Sequence, residues 1–504
     1  MSLSPEVLEI TLTSWYLVLP GILILYLLSN RYQGGLSKVP GPWMNSVSTL
    51  PRMWSIYKGQ HHLDDLRLHS RYGKYVRLAP NLVSISDPGP INQVYGINSN
   101  FFKSPFYELS AVYDEQGLVP DPFVIQNNKP LHSRMKRNAA NAYSMNGLLK
   151  FEPWVDEVIE RLLTKLDTHA DFGTSCDLGD MMKNFAMDAI CRLTFGRDLN
   201  YLDKGDEHGF FRLLDLFTPY MAIFGHVSWL HPYLLGNSWI ASYFTKGDTS
   251  TEAMILLAEK ELKRSHQEPP SEDSAMTFLG RLTLNQAAKP DQINDREIVT
   301  HAFGNISAGS DTTAIAMRSV IYNLLKDRKA YTRLASDVRK SLSLPVAFSS
   351  ANELPYLRAV IQEAMRLHPS VGQILYRSVP TGGAVVGGYK MKANVQVGMS
   401  PWVLHRDPEV FPEPDCFKPE RWIIDGEPSD EDALRRMNRS FFAFGHGTHT
   451  CSGKHISIME TTKLVATLLL KYDLELAEGT NQFTFVNRWF TQQEGLIVNI
   501  HHRK

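Results

Sequence analysis

Apolar and polar residues follow two periods along the 504-residue chain, and the helical one dominates. Apolar positions return every three to four residues over Trp154 to Leu166, Gly179 to Phe195, Ala253 to Ser265, Asn294 to Asp327 and Leu357 to Leu367, which predicts long helices with a buried face. Val76 to Ser86 alternates and turns, predicting a short hairpin, and Tyr376 to Met399 reads as several strands broken by Gly382, Gly383, Gly387 and Gly388. Phe483 to Ile500 supplies a β-rich end. The expected fold class is mainly α with small β-sheets at the edge (α+β). No repeat of solenoid or propeller period occurs. Pro269 to Ser274 reads as a polar surface loop.

One stretch has neither period. Leu12 to Leu28 is uncharged and about long enough to reach across a hydrocarbon core with some thinning, although Pro20 and Gly21 favour a kink. Glu6 and Glu9 precede it and Arg31 and Lys38 follow it, so the positive-inside rule places the bulk of the chain in the cytosol. A cleaved signal peptide would need a basic start and a small-residue cleavage site, and neither is evident. Lys38-Val39-Pro40-Gly41-Pro42-Trp43 then makes a stiff, non-helical connection. The expected organisation is an N-terminal membrane anchor over residues 1–30, a proline-rich hinge over 31–43 and one catalytic domain over 44–504.

Charge narrows the function classes. Lys plus Arg total 52 against 53 for Asp plus Glu, so no overall charge points to nucleic acid. Cys176, Cys191, Cys416 and Cys451 lie far apart with no C-x-x-C pattern, which disfavours a disulfide framework, a zinc site and c-type heme attachment. Cys451 sits in Phe444-Gly445-His446-Gly447-Thr448-His449-Thr450-Cys451-Ser452-Gly453, immediately before a helical stretch. Backbone N–H groups at a helix start favour a thiolate, and the glycines permit close backbone approach to sulfur or to a flat ligand.

Two further places break local rules. Asn294-Asp295-Arg296-Glu297 resembles a capping box opening a helix without proline to about Asp327, and its middle holds Ala308-Gly309-Ser310-Asp311-Thr312-Thr313 where apolar residues are expected. Gly304 and Gly309 each cost about 1 kcal/mol relative to alanine in a helix interior, and a buried Asp311 needs a partner. Such failures of local consistency tend to mark functional sites. Glu363 and Arg366, three apart, are neighbours on one face of an otherwise apolar helix.

The Cys451 decapeptide resembles the cysteine-ligand loop of the cytochrome P450 superfamily, and the resemblance extends from the hinge to the C-terminus. It implies the cytochrome P450 fold behind a transmembrane helix, with heme b (iron protoporphyrin IX) carried on Cys451 as axial thiolate and Phe444 at the head of the loop. His449 stands where the family more often has arginine to bind a heme propionate. Ala308 to Thr313 resembles the central-helix motif, which implies that Gly309 leaves space for oxygen, that Thr312 is the hydroxyl donor there, and that Asp311 relays protons through water. Glu363 and Arg366 fit the family's Glu-x-x-Arg, and Arg421 in Pro419-Glu420-Arg421-Trp422 would complete a buried ion triad. Arg377 matches a propionate-binding arginine, and His132 and Lys136 stand where the family often has tryptophan and arginine.

What the resemblance implies for function is insertion of one oxygen atom from O2 into a small hydrophobic substrate, probed by Phe101 to Asn128, Ala302 to Ala308, Val371 to Leu375, Trp489 and Phe490. The implied electron donor is the membrane-bound NADPH–cytochrome P450 reductase, with cytochrome b5 as an alternative, docking on Lys136, Arg137, Arg435, Arg436, Arg439 and Lys454. The C-terminal part is similar to fungal members such as pisatin demethylase, which suggests secondary metabolism. The implied location is the endoplasmic reticulum membrane, single-pass, with the catalytic domain cytosolic. A heme-thiolate isomerase or dehydratase that uses no external oxygen, and a non-catalytic heme-binding sensor, stay open as other readings. His501 and His502 are expected to form a disordered tail.

Overall fold

The computed structural model describes residues 5–111, 113–114, 117–207, 209–245, 250–267, 276–424, 428–479 and 483–503. Its principal helices are α1 (Pro5–Tyr32), α2 (Lys129–Ala139), α3 (Glu152–Phe172), α4 (Leu178–Phe195), α5 (Ser250–Gln267), α6 (Asp295–Lys326), α7 (Pro355–Leu367), α8 (Pro428–Ser440) and α9 (Lys454–Lys471). The fold is mainly helical with small sheets, and the five helical patterns of the sequence correspond to α3, α4, α5, α6 and α7.

The long helix α6 organises the core. Its N-cap Asn294 accepts from the Glu297 N–H at 2.9 Å, but the Glu297 carboxylate is held by Arg134 of α2 rather than reaching back to the cap. The capping box is therefore half used, and its other half joins two helices. α6 packs most extensively on α4, whose face from Met182 to Phe195 is almost wholly buried. α9 is also buried along most of its length, and Lys463 inside it is neutralised by Glu152 at 2.6 Å and Asp156 at 2.9 Å, both on α3.

Glu460 on α9 is the contrary case: it is 1 % exposed, its Oε1 has no hydrogen-bond partner, and burial pushes its carboxyl up to about 8. An unfolded chain releases this proton near 4.5, so between these two pH values the native state holds a proton that the unfolded state has lost. The contribution is fully present below the unfolded value, declines as pH rises through the window and is lost above the folded value. Glu460→Gln should flatten this dependence and raise stability at pH 8 to 9 by on the order of a few kcal/mol. Urea midpoints measured from pH 4.5 to about 9 test this, and curves that stay parallel between pH 4.5 and about 8 would refute it.

The predicted hairpin forms as Tyr75–Ala79 and Leu82–Ile85. It belongs to a five-stranded sheet that continues through Gln396–Gly398, Arg377–Ser378 and Phe102–Lys103, all antiparallel except where Gln396–Gly398 joins Leu82–Ile85. Arg377 and Lys103 pair across this sheet, and so two cationic side chains start from neighbouring strands. A second sheet joins Tyr472–Leu476, Ile497–His502 and Cys176–Asp177. His501 and His502 are thus in a strand rather than a loose tail, because Tyr472↔His502 extends the ladder and Asp171 bonds His502 at 2.8 Å.

The backbone of α1 is helical throughout, but its side chains are described only from Val18 onward, so those in the first part of the Leu12 to Leu28 run are not described. Val18, Leu19, Ile22, Leu23, Ile24, Leu25 and Leu28 are exposed. Val18 to Leu28 covers about 15 Å at ~1.5 Å per residue, and among the described residues no helix is long and apolar enough to cross a membrane. The connection after α1 is pinned rather than free. Arg77, 1 % exposed, donates to the carbonyls of Asn30 at 2.7 Å, Arg31 at 2.8 Å and Pro80 at 2.6 Å. Gly41 lies against it, where an added Cβ would come within 2.5 Å of the Arg77 carbonyl. The loop predicted at Pro269 to Ser274 lies outside the described residues.

Candidate active site

The Cys451 loop folds back on itself before α9 begins. Gly445 and Gly447 take φ of 70° and 65°, and a Cβ on Gly447 would fall 1.9 Å from the Tyr95 carbonyl, so only glycine fits there. Cys451 N–H donates to the Phe444 carbonyl at 2.9 Å, which closes the loop around the sulfur. Gly453, by contrast, has an ordinary φ of −80° and serves as N-cap of α9. Cys451 combines two properties that rarely occur together. Its side chain is accessible, yet burial pushes its thiol up, against the N–H groups of Gly453 and Lys454 and the charge of Lys136, which favour the thiolate. A group both accessible and desolvated faces an internal space rather than bulk water.

Cationic side chains gather on one side of that space. The charges of Lys136 and Arg377 act on Lys103, and those of Lys103, Lys136 and Arg377 act on His132 and His449, making all three harder to protonate. His132 and His449 lie with ring centroids 4.2 Å apart. Burial and these charges lower His132 to about 4 and hold His449 far below its ordinary range, and the buried Nδ1 of His449 has no partner. Among the described residues Lys103, Lys136 and Arg377 form no ion pair with a carboxylate; Lys103 instead binds the carbonyls of Pro122 and Phe123, and Arg377 that of Tyr376. A cavity of about 80 Å³ adjoins them, lined by Tyr95, Phe101, His132, Arg377, Thr448 and His449. Positive charge in excess of its nearby counter-charge, which Asp121 supplies to Lys103, next to an accessible thiol, fits a dianionic, iron-bearing macrocycle such as heme b.

Two residues depart from the sequence expectation. Lys136 is grouped with the other cations, but its Nζ is taken by the carbonyls of Thr448 at 2.9 Å and Thr450 at 2.8 Å, so it ties α2 to the cysteine loop. Gly309 leaves no free space: a Cβ there would meet Ile190 of α4 at 3.0 Å, so its missing side chain serves close packing of two helices. The open positions of α6 are instead Gly304, where an added Cβ would meet nothing within 4 Å, and Ala308, which is exposed within a buried helix.

Thr312 lies one turn beyond Ala308 and donates to its carbonyl at 2.6 Å, while Ser370 holds the Thr312 carbonyl at 2.7 Å. Asp311 beside it is 3 % exposed, and its Oδ2 has no hydrogen-bond partner. Its Oδ1 is 3.6 Å from Lys183 of α4, which also lies 4.0 Å from the half-exposed Asp215. Burial raises the Asp311 carboxyl first of all, with Lys183 and Arg318 opposing and Asp215 adding. Asp311, Lys183 and Asp215 thereby form a charged line from the interior toward solvent.

Under the cysteine loop, Glu363 and Arg366 of α7 are both fully buried and meet through two bonds of 2.8 and 2.9 Å. Arg421 donates to Glu363 Oε1 at 3.0 Å, and the Trp422 indole and Lys418 N–H add bonds of 2.9 Å each. Arg366 also binds the carbonyls of His405 and Pro414. The expected triad is thus a larger knot, satisfied at nearly every donor.

Lys103 and Lys183 escape sequence reasoning because their partners lie far away in the chain. A lone lysine within the apolar pattern of Gly179 to Phe195 was the only signal for Lys183.

A sequence profile described as cytochrome P450 matches residues 40–499. Cytochrome P450 monooxygenase cicH of Emericella nidulans is 33% identical over 476 residues, covering 93% of this chain and 94% of that protein. Cytochrome P450 monooxygenase pkfB of the same organism is 32% identical over 475 residues, with 93% and 92% covered. Cytochrome P450 monooxygenase AFLA_114810 of Aspergillus flavus is 32% identical over 501 residues, with 97% of each chain covered. With this match following on an accessible buried thiol and an anion-seeking pocket, the chain belongs to the cytochrome P450 family of enzymes, which carry heme b on a cysteine thiolate.

Proposed function

We propose that the protein is a heme-thiolate monooxygenase that inserts one oxygen atom from O2 into a small hydrophobic substrate of secondary metabolism. The observation that carries this reading is the open, polar turn from Ala308 to Thr312 inside a buried helix, in a protein that also offers a desolvated, accessible thiol. Cys451 would hold the iron, and Arg377, His449, His132 and Lys103 would meet the propionates. Heme b, when bound, supplies the activation of dioxygen.

The protein's own groups handle protons and access. The Thr312 hydroxyl, parked on the Ala308 carbonyl, is a donor that can turn toward the open side. Asp311, raised by burial and linked by Lys183 toward Asp215, can take up a proton from the solvent side and pass it inward. This acid–hydroxyl pair favours oxygen chemistry over the isomerase or dehydratase reading, which has no use for proton delivery at that face. Aromatic walls at Phe106, Tyr107, Phe123 and Trp489, with ring centroids 5.2 to 6.3 Å apart, suit an apolar substrate.

The electron donor we assign is an NADPH–cytochrome P450 reductase docking on the cationic side of the cysteine loop. Arg137, Arg436 and Lys454 have no carboxylate partner among the described residues, whereas Arg435 is paired with Asp432 at 2.9 Å and contributes less. Residues 1–30 would anchor the protein in the endoplasmic reticulum membrane, with 31–43 as connector and 44–504 as the cytosolic catalytic domain. Co-expression with a reductase and feeding of terpenoids, polyketides and aromatics under isotopically labelled dioxygen tests the reading. One labelled oxygen atom in the product is expected, and an unlabelled product formed without NADPH would overturn it.

A further inference from the structure

The junction between α1 and the catalytic domain encloses a cavity that the oxygen chemistry does not use. Its volume is about 190 Å³, more than ten times the ~10–15 Å³ that one water needs, and Arg31, Ser37, Lys38, Trp43, Ser46 and Arg77 line it. Three of these six are cations, no carboxylate belongs to the lining, and among the described residues none of the three forms an ion pair.

Arg77 shows what is missing. It is 1 % exposed, its two terminal nitrogens are spent on the carbonyls of Asn30, Arg31 and Pro80, and its Nε has no hydrogen-bond partner. Carbonyl dipoles solvate a cation without cancelling its charge, and a buried charge that lacks a counter-charge is costly. Burial and the neighbouring Arg31 charge lower Arg77 to about 10. The walls do not depend on a ligand: the Arg77 N–H donates to the Pro40 carbonyl at 2.8 Å, Asn45 to the Leu78 carbonyl at 3.0 Å and Asn30 to the Val47 carbonyl at 2.9 Å. The end of α1, the hinge and the first strand are thereby one unit around a fixed positive charge, with the exposed Lys38 and half-buried Arg31 at its rim.

The place of the cavity identifies the anion. Arg31 follows directly on the exposed apolar run from Val18 to Leu28, and Trp43 on the other rim is 65 % exposed. Cations and an indole at the end of an apolar helix sit at the headgroup level of a bilayer. A lipid whose chains lie along α1 would bring its phosphate to the cavity mouth.

We propose that this cavity binds the phosphate of an anionic phospholipid, with Arg31 and Lys38 meeting the phosphate oxygens over the fixed charge of Arg77. A zwitterionic headgroup would carry its own ammonium into the same cluster and is disfavoured. Occupancy would set how the catalytic domain sits on the membrane. The proposal rests on the reading that residues 1–30 lie in the membrane.

The test titrates full-length holoprotein in neutral-detergent micelles with dihexanoylphosphatidic acid, dihexanoylphosphatidylcholine and inorganic phosphate. Trp43 fluorescence, isolated by comparison with Trp43→Phe, reports occupancy. The phosphatidic acid should bind about tenfold or more tighter than either of the others. Arg31→Gln combined with Lys38→Gln should weaken it about tenfold or more, as loss of two cations beside a headgroup predicts. The charge-keeping pair Arg31→Lys with Lys38→Arg should retain most of the affinity, and Lys58→Gln, which removes an exposed cation outside the cavity, should leave it unchanged. Equal binding of phosphatidylcholine, equal binding of inorganic phosphate, a response that persists in Trp43→Phe, or a loss in Lys58→Gln as large as in the double variant overturns the proposal. Failure of the underlying anchor reading would show separately, as full-length protein that does not float with phosphatidylcholine vesicles.

Discussion

Glu363→Ala is expected to abolish recovery of folded, heme-loaded protein. The carboxylate accepts from Arg366, Arg421, the Trp422 indole and the Lys418 amide, and it has no access to water. Its removal leaves two guanidinium groups, Arg366 fully buried and Arg421 nearly so, without their counter-charge. Breaking a buried pair by removing one partner costs about 3–5 kcal/mol, a large share of the ~5–15 kcal/mol that keeps a protein folded. Glu363→Gln keeps the shape and part of the bonding but loses the charge, so it should be intermediate. Soluble yield and heme content per mole of protein measure both variants. Wild-type heme content in Glu363→Ala would show that the knot is dispensable.

Thr312→Ala should leave folding and heme content intact and separate NADPH consumption from product formation. The hydroxyl makes its bond within α6 to the Ala308 carbonyl, so its loss removes little packing. What it removes is the donor at the open side of the helix, and a positioned proton donor contributes about 10²–10⁴-fold to such steps. Product per NADPH is expected to fall about tenfold or more, with hydrogen peroxide taking the balance. Asp311→Asn should act differently. It breaks the charged line to Lys183 and Asp215 and slows overall turnover rather than diverting it. Unchanged coupling in Thr312→Ala, or an unchanged rate in Asp311→Asn, would remove the assigned role.

The parts of this site that the sequence announces are the ones built from contiguous residues. The Cys451 loop needs glycines at fixed offsets, and Gly447 is obligatory because the Tyr95 carbonyl occupies the place of its side chain. Glu363 and Arg366 are legible from their spacing on one helix, although Trp422 and the Lys418 amide, which complete the knot, are not. Gly309 shows the limit of such reading. A glycine in a helix signals that something comes close, but not what, and here it is Ile190 of α4. Lys136 likewise carries the expected charge, yet the geometry of α2 places its ammonium on two loop carbonyls. Lys103 and Lys183 are hidden from sequence inspection because each draws its meaning from neighbours that only tertiary packing brings up, Arg377 for the first and Asp311 for the second. The terminal strand at His501 and His502 was missed for the same reason, since its pairing partner begins at Tyr472.

All of these roles depend on a bond between the Cys451 sulfur and heme iron. Reduced holoprotein under carbon monoxide, compared with Cys451→Ser, tests that bond most directly. The account predicts the far red-shifted Soret band of a thiolate-ligated carbonyl complex in the wild type and its complete loss in the variant. A folded, heme-containing wild type without that band, or a Cys451→Ser protein that retains it, would contradict the account.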